Sequence, residues 1–181
     1  MGNQQERLEI DLAWLTGLIE GEGWISLICY KSNQKNGKYT RALKGNIGVV
    51  NCDIVIMDKI KSILDNLDIK YRYNFRKAAI GSDGISRKAK VEISVENQAS
   101  LRKLANTIYP YMIGEKRHRV TKILEFLDIR ASKPRSGKAS KYGKEEFILY
   151  REMYGFKGKS RSRILNDYTL DKIIKDFEDI V

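Results

Sequence analysis

The most constraining stretch of the chain is residues 8–22, where two stripes share one helical period. Leu8, Leu12, Leu15, Leu18 and Ile19 recur at helical spacing, the apolar face of an amphipathic helix. Ala13, Gly17 and Gly21 fall four apart and form a second stripe. An interior glycine costs a helix about 1 kcal/mol relative to alanine, so a pair of them needs compensation. Close approach supplies it, because side chains this small let two helix backbones nearly touch. The mate is either the same helix of a second copy across a two-fold axis or another helix of this chain. The two-fold arrangement predicts a homodimer with Ala13, Gly17 and Gly21 at its interface.

The small stripe runs into Glu20-Gly21-Glu22-Gly23. Across a two-fold contact this brings together carboxylates from both copies, and like charges so close disfavour ionisation unless a cation intervenes. A divalent metal would settle that repulsion, generate hydroxide and stabilise charge developing on a phosphodiester. With one histidine, His118, and two cysteines, Cys29 and Cys52, the chain has little for a soft-metal site or a disulfide framework. The expected ion is therefore hard: Mg²⁺, with Mn²⁺ or Ca²⁺ able to take its place.

Charge points to the partner. The chain carries 34 Lys and Arg against 23 Asp and Glu, a net charge of +11. Residues 23–51 hold Lys31, Lys35, Lys38, Arg41 and Lys44 and no acid. Residues 70–90 hold Lys70, Arg72, Arg76, Lys77, Arg87, Lys88 and Lys90 against Asp83 alone. Solvated surfaces mix signs, so segregated basic blocks imply a polyanion. No apolar run approaches the roughly 20 residues of a membrane span, and the polar start lacks an apolar signal segment. Glu6 also breaks the myristoylation pattern. An intracellular location without a membrane partner is expected, either cytoplasmic (nucleoid) or inside an organelle.

Length fits one ordinary domain with a small appendage: 181 residues. After the first helix, residues 24–31 and 44–50 alternate as strands around a polar turn at 32–37. Asp53 is placed to cap a second helix reaching 67. Strands at 70–77 and 87–96 flank the turn Gly81-Ser-Asp-Gly84, and helices follow at 98–109 and 115–129. The order is αββαββα, an α+β fold in which one sheet face is apolar under helices. The other face stays wet or meets a polar ligand. It carries Ser26, Tyr30, Lys31, Lys44, Asn46, Arg72, Asn74 and Arg76, with Lys88 and Lys90, and a two-stranded ribbon of this kind fits the major groove of B-DNA. The core is expected over 1–130. Residues 131–181 would form a basic connector and C-terminal helices at 145–154 and 169–180. Between those helices, Lys157, Lys159, Arg161 and Arg163 are placed either to clamp phosphates or to form a solvated basic loop.

Three segments carry a family resemblance. Leu15-Thr-Gly-Leu-Ile-Glu-Gly-Glu-Gly23 resembles the LAGLIDADG signature of homing endonucleases, with both acids Glu where Asp is more common. Asn46-Ile-Gly-Val-Val-Asn-Cys-Asp53 and Tyr109-Pro-Tyr-Met-Ile-Gly-Glu-Lys-Arg117 extend it. The resemblance implies a curved antiparallel sheet forming a saddle and, with one signature copy, a homodimer. It implies a metal held by Glu22 and the Gly21 carbonyl, with Asn51 positioning the attacking water. It places Lys116, or Arg117 one residue on, as the basic group near the scissile phosphate. Members often carry another basic residue early in the second helix, where this chain has Ile54, Val55 and Ile56. The implied activity is a metal-dependent, site-specific double-strand break in a long, partly palindromic double-stranded DNA site, serving intron homing. The alternatives are a maturase that binds RNA with the same surface and a catalytically silent DNA-binding regulator.

Overall fold

A computed structural model describes residues 2–33, 39–133 and 142–155, with side chains described for 5–30, 42–133 and 142–153. Helix α1 spans Gly2–Glu22, starting well before residue 8. Gln4, Gln5, Glu6 and Arg7 propagate a helix well but carry no apolar period, so nothing in the pattern marks the extension. Strands β1 (Trp24–Asn33) and β2 (Tyr39–Asn51) follow; Ser32 and Asn33 belong to β1 rather than to the expected turn. Helix α2 spans Ile54–Asn66, and the Asp53 side chain caps it by accepting from the N–H groups of Val55 and Ile56.

The second strand pair differs from expectation. It breaks into β3 (Arg72–Arg76), β4 (Ala79–Ile80), β5 (Ser86–Arg87) and β6 (Lys90–Val95). β4 and β5 form their own small ribbon, pairing Ala79 with Arg87 and Ile80 with Ser86. Its turn uses Gly84 at φ +74°, and Arg87 grips Asp83 at 2.6 Å. Helix α3 (Gln98–Ile108) is capped by Asn97, and a 3₁₀ turn over Tyr109–Tyr111 leads to α4 (Gly114–Ser132) and then α5 (Lys144–Gly155). The expected helix at 169–180 lies outside the described residues. Among those described, no helix is long and apolar enough to cross a membrane.

Strands β1, β2, β6 and β3 form one four-stranded sheet in that order. Antiparallel registers pair Val49 with Ile93 and Tyr73 with Ile93, and set Arg72 opposite Ser94. Directly paired residues share a face, so Ile47, Val49, Val91, Ile93 and Val95 line the apolar side. Arg72, Asn74, Arg76, Lys90, Glu92 and Ser94 line the other. Tyr73 and Phe75 lie on the apolar side but stay about half exposed, because β3 is the sheet edge.

The described chain divides into two compact units. In the unit of residues 1–26 and 45–120, Leu15 and Ile19 of α1, Ile60 and Leu64 of α2 and Leu104 of α3 meet the apolar sheet face. Two glycines tighten the bend from α1 into the sheet. A Cβ on Gly23 would lie 2.8 Å from the Ile19 Cα and 2.9 Å from the Gly48 carbonyl oxygen. A Cβ on Gly48 would collide with the Trp24 indole and the Ile93 carbonyl.

The second unit comprises Leu27–Lys44 and the described chain from Thr121 onward. Glu146, fully buried, accepts from Lys133 Nζ at 2.6 Å, the Gly143 N–H at 2.7 Å and Arg130 Nη1 at 3.1 Å. This ties the end of α4 to the first turn of α5. Burial alone would push the Glu146 carboxyl up, but Lys133, the Gly143 N–H and Arg130 together hold it below the ordinary range.

Candidate nuclease site

The site is assembled at the C-terminal end of α1. Ala13, Gly17 and Gly21 all face outward. A Cβ built on Gly17 or Gly21 meets nothing within 4 Å outside its own helix. No described part of this chain therefore makes the close approach that would compensate for these glycines.

Glu22 is exposed beside this stripe, and Asn51 reaches it from the end of β2: Asn51 Nδ2 donates to Glu22 Oε2 at 2.7 Å. The amide is held from its other side as well, since Asn51 Oδ1 accepts the Asp53 N–H at 2.9 Å. Asp53 in turn caps α2. Strand end, carboxylate and helix start thus form one hydrogen-bonded chain that fixes the direction of the Glu22 carboxylate. Residues that share no local pattern, 29 apart in sequence, are brought together.

Lys116, in the first turn of α4, also arrives at the end of α1. Its Nζ donates to the carbonyls of Ile19 and Glu20 at 2.6 Å each and of Gly23 at 2.9 Å. Burial pulls its pKa below the ordinary lysine value; Arg119 adds to that shift, while Glu20 and Glu115 oppose it. Arg117 sets its guanidinium 4.8 Å from the Tyr109 ring centre. Glu20 accepts the Ile113 N–H at 2.9 Å. Arg119 reaches the Ile25 carbonyl at 3.4 Å and pairs with Glu115. Sequence reasoning missed Arg119, whose one signal is its place three residues after Lys116 on the same helix face. At the start of α2, Ile54 and Val55 are exposed apolar residues.

The donor set suits a hard cation. The chain offers the exposed Glu22 carboxylate and the Gly21 carbonyl, both oxygen donors. Among the described residues no group of three or more His, Cys, Asp or Glu could hold a metal alone. Mg²⁺ is commonly bound by one or two carboxylates together with water and phosphate oxygens, which matches so sparse a set.

The candidate DNA-contacting residues vary in exposure. In the first unit Arg72, Arg76 and Lys88 are exposed, Ser26, Asn74 and Lys90 half-buried. Lys88 lies between β5 and β6 rather than in a strand. Arg76 is paired with Glu92 at 2.6 Å, so part of the basic face is neutralised within the chain. Asn46 is 5% exposed; its Nδ2 donates to Glu96 Oε1 at 3.5 Å and its Oδ1 has no partner. In the second unit Tyr30 is exposed and Lys44 half-buried. The Lys31 side chain and residues 157–163 lie outside those described.

Solved structures share this architecture. The homing endonuclease I-CvuI, in complex with a target DNA in the presence of magnesium, matches at TM-score 0.60 and 16% identity, over 97% of this chain and 99% of that one. The archaeal intron-encoded homing endonuclease I-Vdi141I, complexed with DNA, matches at TM-score 0.60 and 19% identity, over 94% and 98% of the two chains. The group I intron-encoded homing endonuclease I-CeuI, also complexed with DNA, matches at TM-score 0.61 and 14% identity, over 92% and 75%. No curated protein matches in sequence. The fold is that of the homing endonucleases. The LAGLIDADG endonuclease family model matches residues 15–131, and the chain belongs to that family.

Proposed function

We propose that this chain is a homodimeric, Mg²⁺-dependent DNA endonuclease that makes a double-strand break in a long, partly palindromic site, as intron homing requires. The observation that carries this is Asn51 holding the exposed Glu22 carboxylate at the end of an uncovered glycine-lined helix face. Pairing that face with its copy supplies the close approach the glycines lack in one chain, and brings two Glu22 carboxylates together. Glu22 and the Gly21 carbonyl would hold the ion, for which Mn²⁺ or Ca²⁺ could stand in. When bound, the ion would supply Lewis acidity beside the scissile phosphodiester. Asn51 keeps the carboxylate oriented and would hold the attacking water. Each copy serves one strand. Arg72, Arg76, Lys88 and Lys90 supply phosphate and base-edge contacts. The partner is double-stranded DNA inside a cell or organelle.

The test is to select DNA from a randomised library and assay nicking and linearisation with Mg²⁺ or with EDTA. Cleavage of both strands in Mg²⁺ alone is expected. Absence of cleavage, with tighter binding to intron RNA than to duplex DNA, would replace this function with that of a maturase.

A further inference from the structure

We infer that Lys116 is a positioning residue that latches the metal-bearing end of α1, rather than a contact to the scissile phosphate. This rests on the nuclease function proposed above. A lysine ammonium has three hydrogens to donate. Here all three are engaged, with the carbonyls of Ile19, Glu20 and Gly23 at 2.6–2.9 Å. A phosphate oxygen would have to displace one of them.

The acceptors explain the placement. The last carbonyls of a helix lack intrahelical partners and form the negative end of its dipole, where a cation is favoured. Helix α1 has no basic residue in its own last turn. Lys116 supplies the missing charge from 93 to 97 residues away. The grip is returned, because Glu20 of α1 accepts the N–H of Ile113 just ahead of α4. Arg119, one turn after Lys116, reaches the Ile25 carbonyl beyond the bend. The backbone is thus held at residues 19, 20, 23 and 25, on both sides of Gly21 and Glu22. The Gly21 carbonyl is not among the Lys116 acceptors, which leaves it for the ion. Lys116 therefore acts on the reaction through the geometry of Gly21 and Glu22.

The test is Lys116→Met in the full-length protein, with three readouts. The first is hydrogen exchange of the Gly23 amide, which bonds the Ile19 carbonyl at 3.0 Å. The second is calorimetric titration of Ca²⁺ into the protein–DNA complex, and the third is DNA affinity in EDTA as a function of salt. Exchange protection of Gly23 and Ca²⁺ affinity should each fall about tenfold or more, the scale for losing an outer partner of a metal ligand. DNA affinity in EDTA and its salt slope should not change. Raising the cation concentration should restore cleavage. The inference is overturned if Gly23 protection and Ca²⁺ affinity hold while the salt slope falls by about one per lost phosphate contact.

If Lys116→Met does not fold, Glu20→Ala loosens the same latch with the lysine intact. It should also weaken Ca²⁺ binding, and unchanged binding would refute the latch. A wild-type complex that takes up no Ca²⁺ would count against the nuclease function. Gly23 protection would then still decide the latch.

Discussion

Replacing Gly17 with alanine should strengthen the single chain and weaken the proposed dimer. A Cβ at residue 17 meets nothing within 4 Å outside its own helix, so the substitution causes no clash inside the chain. Exchanging glycine for alanine in a helix interior then stabilises the monomer by about 0.5–1 kcal/mol. In a two-fold seam the added methyl appears twice where the backbones are closest. Overpacking of this kind costs about 1–3 kcal/mol, which loosens the dimer about 5- to 150-fold. Gly17→Leu places a larger group in the same seam and should leave only monomer. Sedimentation equilibrium gives the dimer constant, and urea unfolding at a concentration where monomer dominates gives the chain's own stability. A fall in monomer stability would reveal an intrachain partner for the stripe. An unchanged dimer constant would show that the stripe is not the seam.

Asn51→Ala removes the donor 2.7 Å from Glu22 and should slow cleavage about 10- to 100-fold while leaving DNA affinity in EDTA unchanged. Glu92→Gln frees Arg76 from its 2.6 Å ion pair. DNA binding at low salt should tighten, with a salt slope steeper by about one per chain; an unchanged slope would place Arg76 off the DNA. Glu146→Ala should destabilise the second unit by about 3–5 kcal/mol, because Arg130 and Lys133 lose their buried counter-charge. The folded Glu146 carboxyl titrates below its unfolded value. Its stabilisation is therefore present above the ordinary carboxylate range and lost as pH falls through the folded value. Acid unfolding followed in wild type and Glu146→Gln checks this: the wild type should show the extra acid-dependent loss and the variant should not.

The order of elements was legible because the apolar period switches from helical to alternating and back, twice. Asp53 and Ala13-Gly17-Gly21 were legible because a cap and a small-residue stripe are local patterns. What the pattern hid is either aperiodic or non-local. The extension of α1 back to Gly2 is polar and carries no stripe. Alternation put Asn46 on the polar face, but its depth depends on packing around it and on Glu96, 50 residues later. The Arg76–Glu92 pair needs the β3–β6 register, which a count of acids along the chain cannot supply. Lys116 was singled out through the resemblance, yet its destination is set by how α4 meets α1 and is written in no spacing.

Most directly decisive is the behaviour of Glu22→Gln on the DNA site selected by the wild-type protein. The substituted amide keeps the size of the side chain and removes the charge a divalent cation needs. Wild-type protein should cut both strands when Mg²⁺ is present. The variant should bind the same site with equal affinity in EDTA and cut neither strand. Cleavage by Glu22→Gln at the wild-type rate, or by the wild type in EDTA, would contradict the account.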